Sequence, residues 1–177
     1  MPGKMLLVVD MLNDFIREDG ALYCGPAAAN IVSQVAGLVR EFRSRSEPIV
    51  FIMDAHEPDD MEFNRFPAHC VKGTPGAEII SELAPFSAAG AGVVKVAKNR
   101  YSGFFNTGLE DLLRRFAPQE VHVVGVCTNI CVLYTVEELC NRDYRVTVHR
   151  DAVAGFDEQA HRWALQQMET VLGAQIV

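Results

Sequence analysis

The sequence predicts an α/β fold, a three-layer αβα domain in which a six-stranded, mostly parallel sheet is covered by helices on both faces. Two observations carry this reading. Short apolar runs recur along the chain with segments of helical period between them, and strict alternation with crossovers of that length calls for parallel strands. In addition, Met5–Val9 is apolar without interruption, as in a strand buried on both faces, and Val121–Val126 is a second β-like apolar run broken by His122.

Met5–Val9 is the first expected strand. Pro26 then opens a helical pattern in which Ile31, Val35, Leu38, Val39 and Phe42 repeat at helix spacing as far as Arg43. Pro48–Met53 is the second strand. The stretch from Asp54 to about Pro75 carries no regular pattern, and loops of that length in compact domains are usually functional. A short helix is expected near Ala77–Leu83, a third strand at Val93–Ala97 and a helix at Leu109–Phe116. Val121–Gly125 is the fourth strand, Asn129–Cys140 a helix, Arg145–His149 the fifth strand, about Asp157–Leu172 the last helix and Gln175–Val177 the sixth strand. Phe156 and Trp163 read as packing residues. Gly90-Ala91-Gly92 precedes a strand rather than following one, so it is no dinucleotide fingerprint.

A chain of 177 residues fits one domain, residues 1–177, with a sizeable core. The net charge of −7, with 16 basic against 23 acidic residues and no basic cluster, argues against nucleic acid and anionic membrane surfaces as partners. Only five apolar residues follow Met1-Pro2-Gly3-Lys4 before Asp10, too few for a secretory core. No run approaches the roughly 20 apolar residues of a membrane span. The five cysteines, Cys24, Cys70, Cys127, Cys131 and Cys140, are odd in number and lack zinc-site pairing, which suits reduced thiols in a cytoplasm. Cys127 and Cys131 stand four apart, unlike a redox CxxC.

In open parallel sheets, ligands sit at the carboxyl ends of the strands. Asp10, Asp54, His56, Lys98 and the segment Cys127–Cys131 all fall at or just past such ends. Cys131 is expected in the first turn of a helix, where unpaired N–H groups and the helix dipole favour an anion and a thiol ionises near neutral pH. Asp10 is placed to take the thiol proton and hand it to a leaving amine, with Lys98 stabilising the thiolate. The backbone N–H groups of Cys127 and Cys131 form a candidate oxyanion hole. Asp54 and His56 stand two apart and share a side of their strand's end. With His69 from the same loop they make a first shell suited to zinc, iron or manganese, to which Asp59, Asp60 or Glu62 could add an oxygen. His122, His149 and His161 read as surface or satisfied side chains, and Lys95 as a rim residue.

Together these segments resemble the isochorismatase-like cysteine hydrolases, and among them the nicotinamidases. The resemblance rests on Asp10-Met11-Leu12-Asn13-Asp14-Phe15, on Asp54-Ala55-His56, on the run Pro67–Glu78, on Lys98-Asn99-Arg100-Tyr101-Ser102-Gly103-Phe104, and on Gly125–Thr135. It implies a six-stranded parallel sheet of Rossmann-like layout and a catalytic triad of Asp10, Lys98 and Cys131. It also implies a cis peptide at Val126–Cys127, and a divalent metal held by Asp54, His56 and His69 with Glu62 as a further ligand. Phe15 and Phe66 would be the aromatic walls around a substrate ring. A cytoplasmic, homo-oligomeric amidohydrolase follows, cleaving a small amide to acid and ammonia through a thioester, with nicotinamide as first choice. Departures at Leu12, Ala55, Glu62-Phe63 and Phe66 keep two alternatives open: a carbamoyl or ureido substrate on the same scaffold, and a binding homologue that has lost catalysis.

Overall fold

In the computed structural model, which describes residues 3–88, 90 and 92–177, six strands form a single all-parallel sheet. They are β1 (Lys4–Val9), β2 (Ile49–Asp54), β3 (Val93–Lys98), β4 (Glu120–Val126), β5 (Val146–Ala154) and β6 (Gln175–Ile176), in the order β3-β2-β1-β4-β5-β6. The sequence reading of Met1-Pro2 and of Ala91 in the glycine pair falls outside the described residues. The order reverses between β1 and β4, and a doubly wound sheet has its crevice at such a reversal.

Alternation along β1 splits the core. Leu6 and Val8 face Val35, Ala36, Val39 and Phe42 of helix α3 (Val32–Ser44). Met5, Leu7 and Val9 join the opposite cluster, with α4 (Leu109–Phe116), α5 (Leu133–Cys140) and α6 (Glu158–Thr170). Both faces of the central strands are therefore withdrawn from water, which is why their sequences are apolar throughout. Asp157 caps α6, accepting from the Ala160 amide at 2.7 Å. No helix among the described residues is long and apolar enough to cross a membrane.

The order and nature of the strands follow the sequence reading; several helical segments do not. The pattern from Pro26 is cut at Ile31, which turns inward to the core, leaving α2 (Pro26–Asn30) separate from α3. A short helix, α1 (Asn13–Ile16), has no counterpart in the sequence reading. The helix expected near Ala77–Leu83 is absent. The backbone of that segment bonds instead to the chain after β1: the Ile80 amide to the Met11 carbonyl at 3.1 Å, and the Asn13 amide to the Glu78 carbonyl at 3.0 Å. β5 runs five residues beyond His149 because a bulge interrupts its pairing with β4 and lets it resume at Val153 opposite Gly125.

Gly125 shows how tightly the crevice is built. It has φ +115°, and a Cβ there would lie 2.0 Å from the Val9 carbonyl oxygen. Only glycine lets β4 approach β1 at this level.

Candidate active site

Asp10 is the first residue past β1. It is buried and left-handed, with φ 51°, a conformation that aspartate tolerates better than most residues. The turn aims its carboxylate across the ends of the neighbouring strands. Oδ1 accepts from the Asp54 amide at 2.8 Å, and Oδ2 lies 2.8 Å from Lys98 Nζ but in no aligned hydrogen bond. Lys98 ends β3, on the inward side set by strand alternation, while Lys95 is exposed. Its Nζ also pairs with Asp54 Oδ1 and lies 3.4 Å from Cys131 Sγ. The Asp10 and Asp54 carboxylates and the Cys131 sulfur lie within 4.8 Å of one another. The Lys98 ammonium occupies that group, so it is no cation site.

Cys131 sits in a wide π-type turn, Thr128–Val132, that precedes α5, rather than in the first α-turn the sequence suggested. The turn follows a cis peptide at Val126–Cys127. The surroundings of the thiol oppose the ionisation near neutral pH expected from its place at a helix start. Burial pushes the Cys131 thiol up well above its ordinary range; Lys98 opposes this, and the Asp10 and Asp54 charges add to it. Lys98 is shared between two carboxylates, so it is not free to hold a thiolate alone. Burial, followed by the Asp54 charge, raises the Asp10 carboxyl to about 6 against the pull of Lys98. The adjacent carboxylate, raised toward neutral pH, is a candidate base for the thiol proton.

The second group lies on the long loop. Asp54, His56 and His69 are buried, with their donor atoms within 4.8 Å of one another. His69 Nδ1 donates to the Pro67 carbonyl at 2.7 Å, and His56 Nδ1 is bonded to Asp60 Oδ2 at 3.0 Å. Both rings therefore turn Nε2 toward Asp54 Oδ2, at 3.6 Å from His56 and 3.8 Å from His69. His56 Nε2 and Glu62 Oε2 are buried without a hydrogen-bond partner. Two aimed imidazole nitrogens, a carboxylate oxygen and a spare buried carboxylate form a donor set that a divalent cation fits. Asp59 is exposed, and Asp60 faces the histidine rather than the cluster, so neither is a ligand here.

Asp14 pins this loop to α1. Its Oδ2 accepts from the Cys70 amide at 2.7 Å and its Oδ1 from the Ala21 amide at 3.0 Å. Phe15, Phe66, Glu62 and His69 line one cavity together with Asp10, Asp54, Cys127 and Cys131. Apart from Asp59 and Asp60, every residue singled out from the sequence for catalysis, metal binding or substrate contact thus borders one crevice or its adjoining donor cluster. Leu22, Tyr101, Ile130 and Phe156 complete the wall and were not foreseen. Phe156 and Trp163, expected to pack inside, are 43% and 53% exposed. Both lie at the periphery of the α6 segment, where an aromatic in sequence carries no sign of depth. His122 and His149 stack on each other, and His161 bonds Thr128, so all three have partners.

Comparison with known proteins gives a consistent picture. The isochorismatase domain model matches residues 4–176. The chain is 37% identical to an isochorismatase family protein, PncA, of Bacillus subtilis, over 98% of each chain. The crystal structure of nicotinamidase/pyrazinamidase PncA from Bacillus subtilis superposes with a TM-score of 0.95 at 36% identity, covering 99% of both chains. Pyrazinamidase of Pyrococcus horikoshii in complex with zinc superposes with a TM-score of 0.89 at 32% identity, again over 99% of both.

Proposed function

The chain belongs to the isochorismatase family of hydrolases, and from that premise we propose that it is a cysteine amidohydrolase converting a small carboxamide, nicotinamide in the first instance, to acid and ammonia. The observation that carries the reading is the convergence of Asp10, Lys98 and Cys131 in one buried crevice, with Nζ 2.8 Å from the carboxylate and 3.4 Å from the sulfur.

Asp10 takes the thiol proton as Sγ attacks the carboxamide carbon. The tetrahedral oxyanion accepts from the backbone N–H groups of Cys127 and Cys131. The carbon–nitrogen bond breaks as Asp10 returns the proton to the departing nitrogen, which leaves as ammonia. A water then loses a proton to Asp10 and adds its oxygen to the thioester. The carboxylic acid departs as the sulfur recovers its proton from Asp10. Lys98 stays charged throughout and keeps the base ionised beside a second carboxylate. Phe15 and Phe66 hold a planar ring against the nucleophile. Asp54, His56 and His69, with Glu62, would hold a divalent zinc, iron or manganese ion, which supplies a Lewis acid for a substrate heteroatom.

Ammonia release from nicotinamide and pyrazinamide, wild type against Cys131→Ala, tests the reading. Turnover that falls by about a thousandfold or more in the variant supports it. Turnover of a ureido compound but neither pyridine amide would replace the substrate and retain the chemistry. Undiminished turnover in Cys131→Ala would overturn the mechanism.

A further inference from the structure

Asp60 sits at the centre of a polar cluster that no catalytic step uses. It is four residues past His56, and its side chain is 4% exposed. Oδ2 is bonded to His56 Nδ1 at 3.0 Å. Oδ1 accepts from the Glu62 amide at 2.8 Å, which caps the short 3₁₀ turn Met61–Asn64 that carries Glu62. Arg100 Nη1 donates to both carboxylate oxygens, at 2.9 and 3.1 Å. One buried carboxylate is thus tied to a histidine of the donor cluster, to the backbone of its adjacent glutamate and to an arginine at the end of β3.

We infer that Asp60 is the positioning residue of the donor cluster, and that Arg100 holds it in place. An ionised carboxylate only accepts hydrogen bonds. Facing Asp60, the neutral His56 ring must carry its hydrogen on Nδ1, which leaves the Nε2 lone pair directed at the cluster. The orphaned state of Nε2 is what such an arrangement leaves before a cation arrives. His69 meets the same requirement through the Pro67 carbonyl, a fixed backbone acceptor. His56 depends instead on a side chain, which rotates unless something clamps it. Arg100 supplies the clamp by bonding both oxygens and so fixing the carboxylate plane. The same carboxylate sets the start of the turn bearing Glu62, so the orientation of one ligand and the placement of another share one support.

The arginine carries a consequence for the rest of the site. Arg100 stands two residues beyond Lys98, so the end of β3 supplies both the ammonium between Asp10 and Asp54 and the clamp on Asp60. Outer partners of this kind raise the basicity and fix the direction of a ligating imidazole, and their loss commonly weakens metal binding by about 10- to 100-fold.

The inference rests on the proposal that the cluster binds a divalent metal, and the experiment separates the two. Wild type, Asp60→Asn and Arg100→Gln are stripped with chelator and titrated with Co(II), read by its d–d absorption. The ¹⁵N shifts of the histidines are recorded on the metal-free proteins. Wild type is expected to bind one Co(II), with His56 held as the Nδ1–H tautomer. In Asp60→Asn the amide offers a donor as well as an acceptor, so both tautomers should appear and Co(II) affinity should fall by about 10- to 100-fold. Arg100→Gln leaves every residue of the loop in place and should lower Co(II) affinity in the same direction by less, while still melting cooperatively in the metal-free state. Affinities of both variants within twofold of a binding wild type would overturn the positioning role. A wild type that takes up no Co(II) would overturn the metal reading and this inference with it.

Discussion

Asp54 and Lys98 are register partners on adjacent parallel strands, and their side chains form an ion pair at the very end of β2 and β3. Lys98 reaches Asp10 only by passing over Asp54, because β2 lies between β3 and β1. One Asp54 oxygen pairs with Lys98 while the other faces the two histidines. The Lys98 ion pair and the donor cluster therefore share a residue.

Lys98→Met leaves two buried carboxylates without a counter-charge. Removing one partner of a buried pair costs about 3–5 kcal/mol, and urea unfolding of the variant should show a loss of that order. Adding Asp54→Asn should recover part of it, since one of the two unpaired buried charges is then gone. A loss below about 1 kcal/mol in the single variant would show that Lys98 is not the group neutralising this crevice.

Gly125→Ala should be among the most damaging single-methyl additions in the chain, because the new Cβ meets backbone rather than a movable side chain. Loss of soluble expression, or a destabilisation of several kcal/mol, is expected. Gly37→Ala is the control. Gly37 lies inside α3 with nothing within 4 Å of an added Cβ, and alanine there should stabilise by about 0.5–1 kcal/mol. Thermal melts of the two variants should move in opposite directions.

His122 gives a pH dependence of stability away from the crevice. It is buried under Phe42, stacked on His149, and 3.2 Å from Glu120. Burial lowers its pKa from 6.5 to about 4, the Glu120 charge opposing and the His149 and Lys4 charges assisting. Above pH 6.5 the ring is neutral in both states and the full stability is present. As pH falls from 6.5 toward 4, the unfolded chain binds a proton that the native ring refuses, so stability declines. The decline attributable to this ring is about 2–3 kcal/mol, read as the difference between wild type and His122→Gln in unfolding free energy across that range. Parallel curves for the two proteins would remove His122 as the cause.

Phe156 lines both the cavity beside Cys131 and a neighbouring cavity of about 360 Å³ lined by Cys24, Pro26, Ile31 and His161. Phe156→Ala should join the two and admit amides with a substituent on the ring. Given the proposed activity, kcat/KM for a substituted pyridine carboxamide should rise roughly tenfold relative to nicotinamide. An unchanged ratio would place substrate selection on Phe15, Phe66 and Tyr101 instead.

The reading of Cys131 shows where sequence and structure part. A strand, a small polar turn and a helical period placed it between the end of β4 and a helix, though in a π-type turn rather than a first α-turn. Its ionisation could not be read from that position alone, because it also depends on burial and on two carboxylates that arrive from β1 and β2. Asp60 shows the same division. In sequence it is one of three nearby acids that could supply an oxygen. Which of them faces His56, which the loop and which the solvent depends on a 3₁₀ turn and on Arg100, 40 residues away. Ala77–Leu83 failed for a further reason: its backbone partners lie on the segment after β1, and local propensity carries no information about them.

The sequence by itself determined the class of fold, the order of the strands along the chain, and which polar residues stand at the strand ends. Each of these is written in periodicity and in residue type at a boundary, which are local properties. Only the tertiary structure decided that β2 stands between β3 and β1, and hence that Lys98 spans Asp54 to reach Asp10. It likewise decided which oxygen faces which nitrogen and which charges surround the thiol. Strand order, burial and charge–charge distance arise between segments distant in the chain, and these set the electrostatics of the crevice.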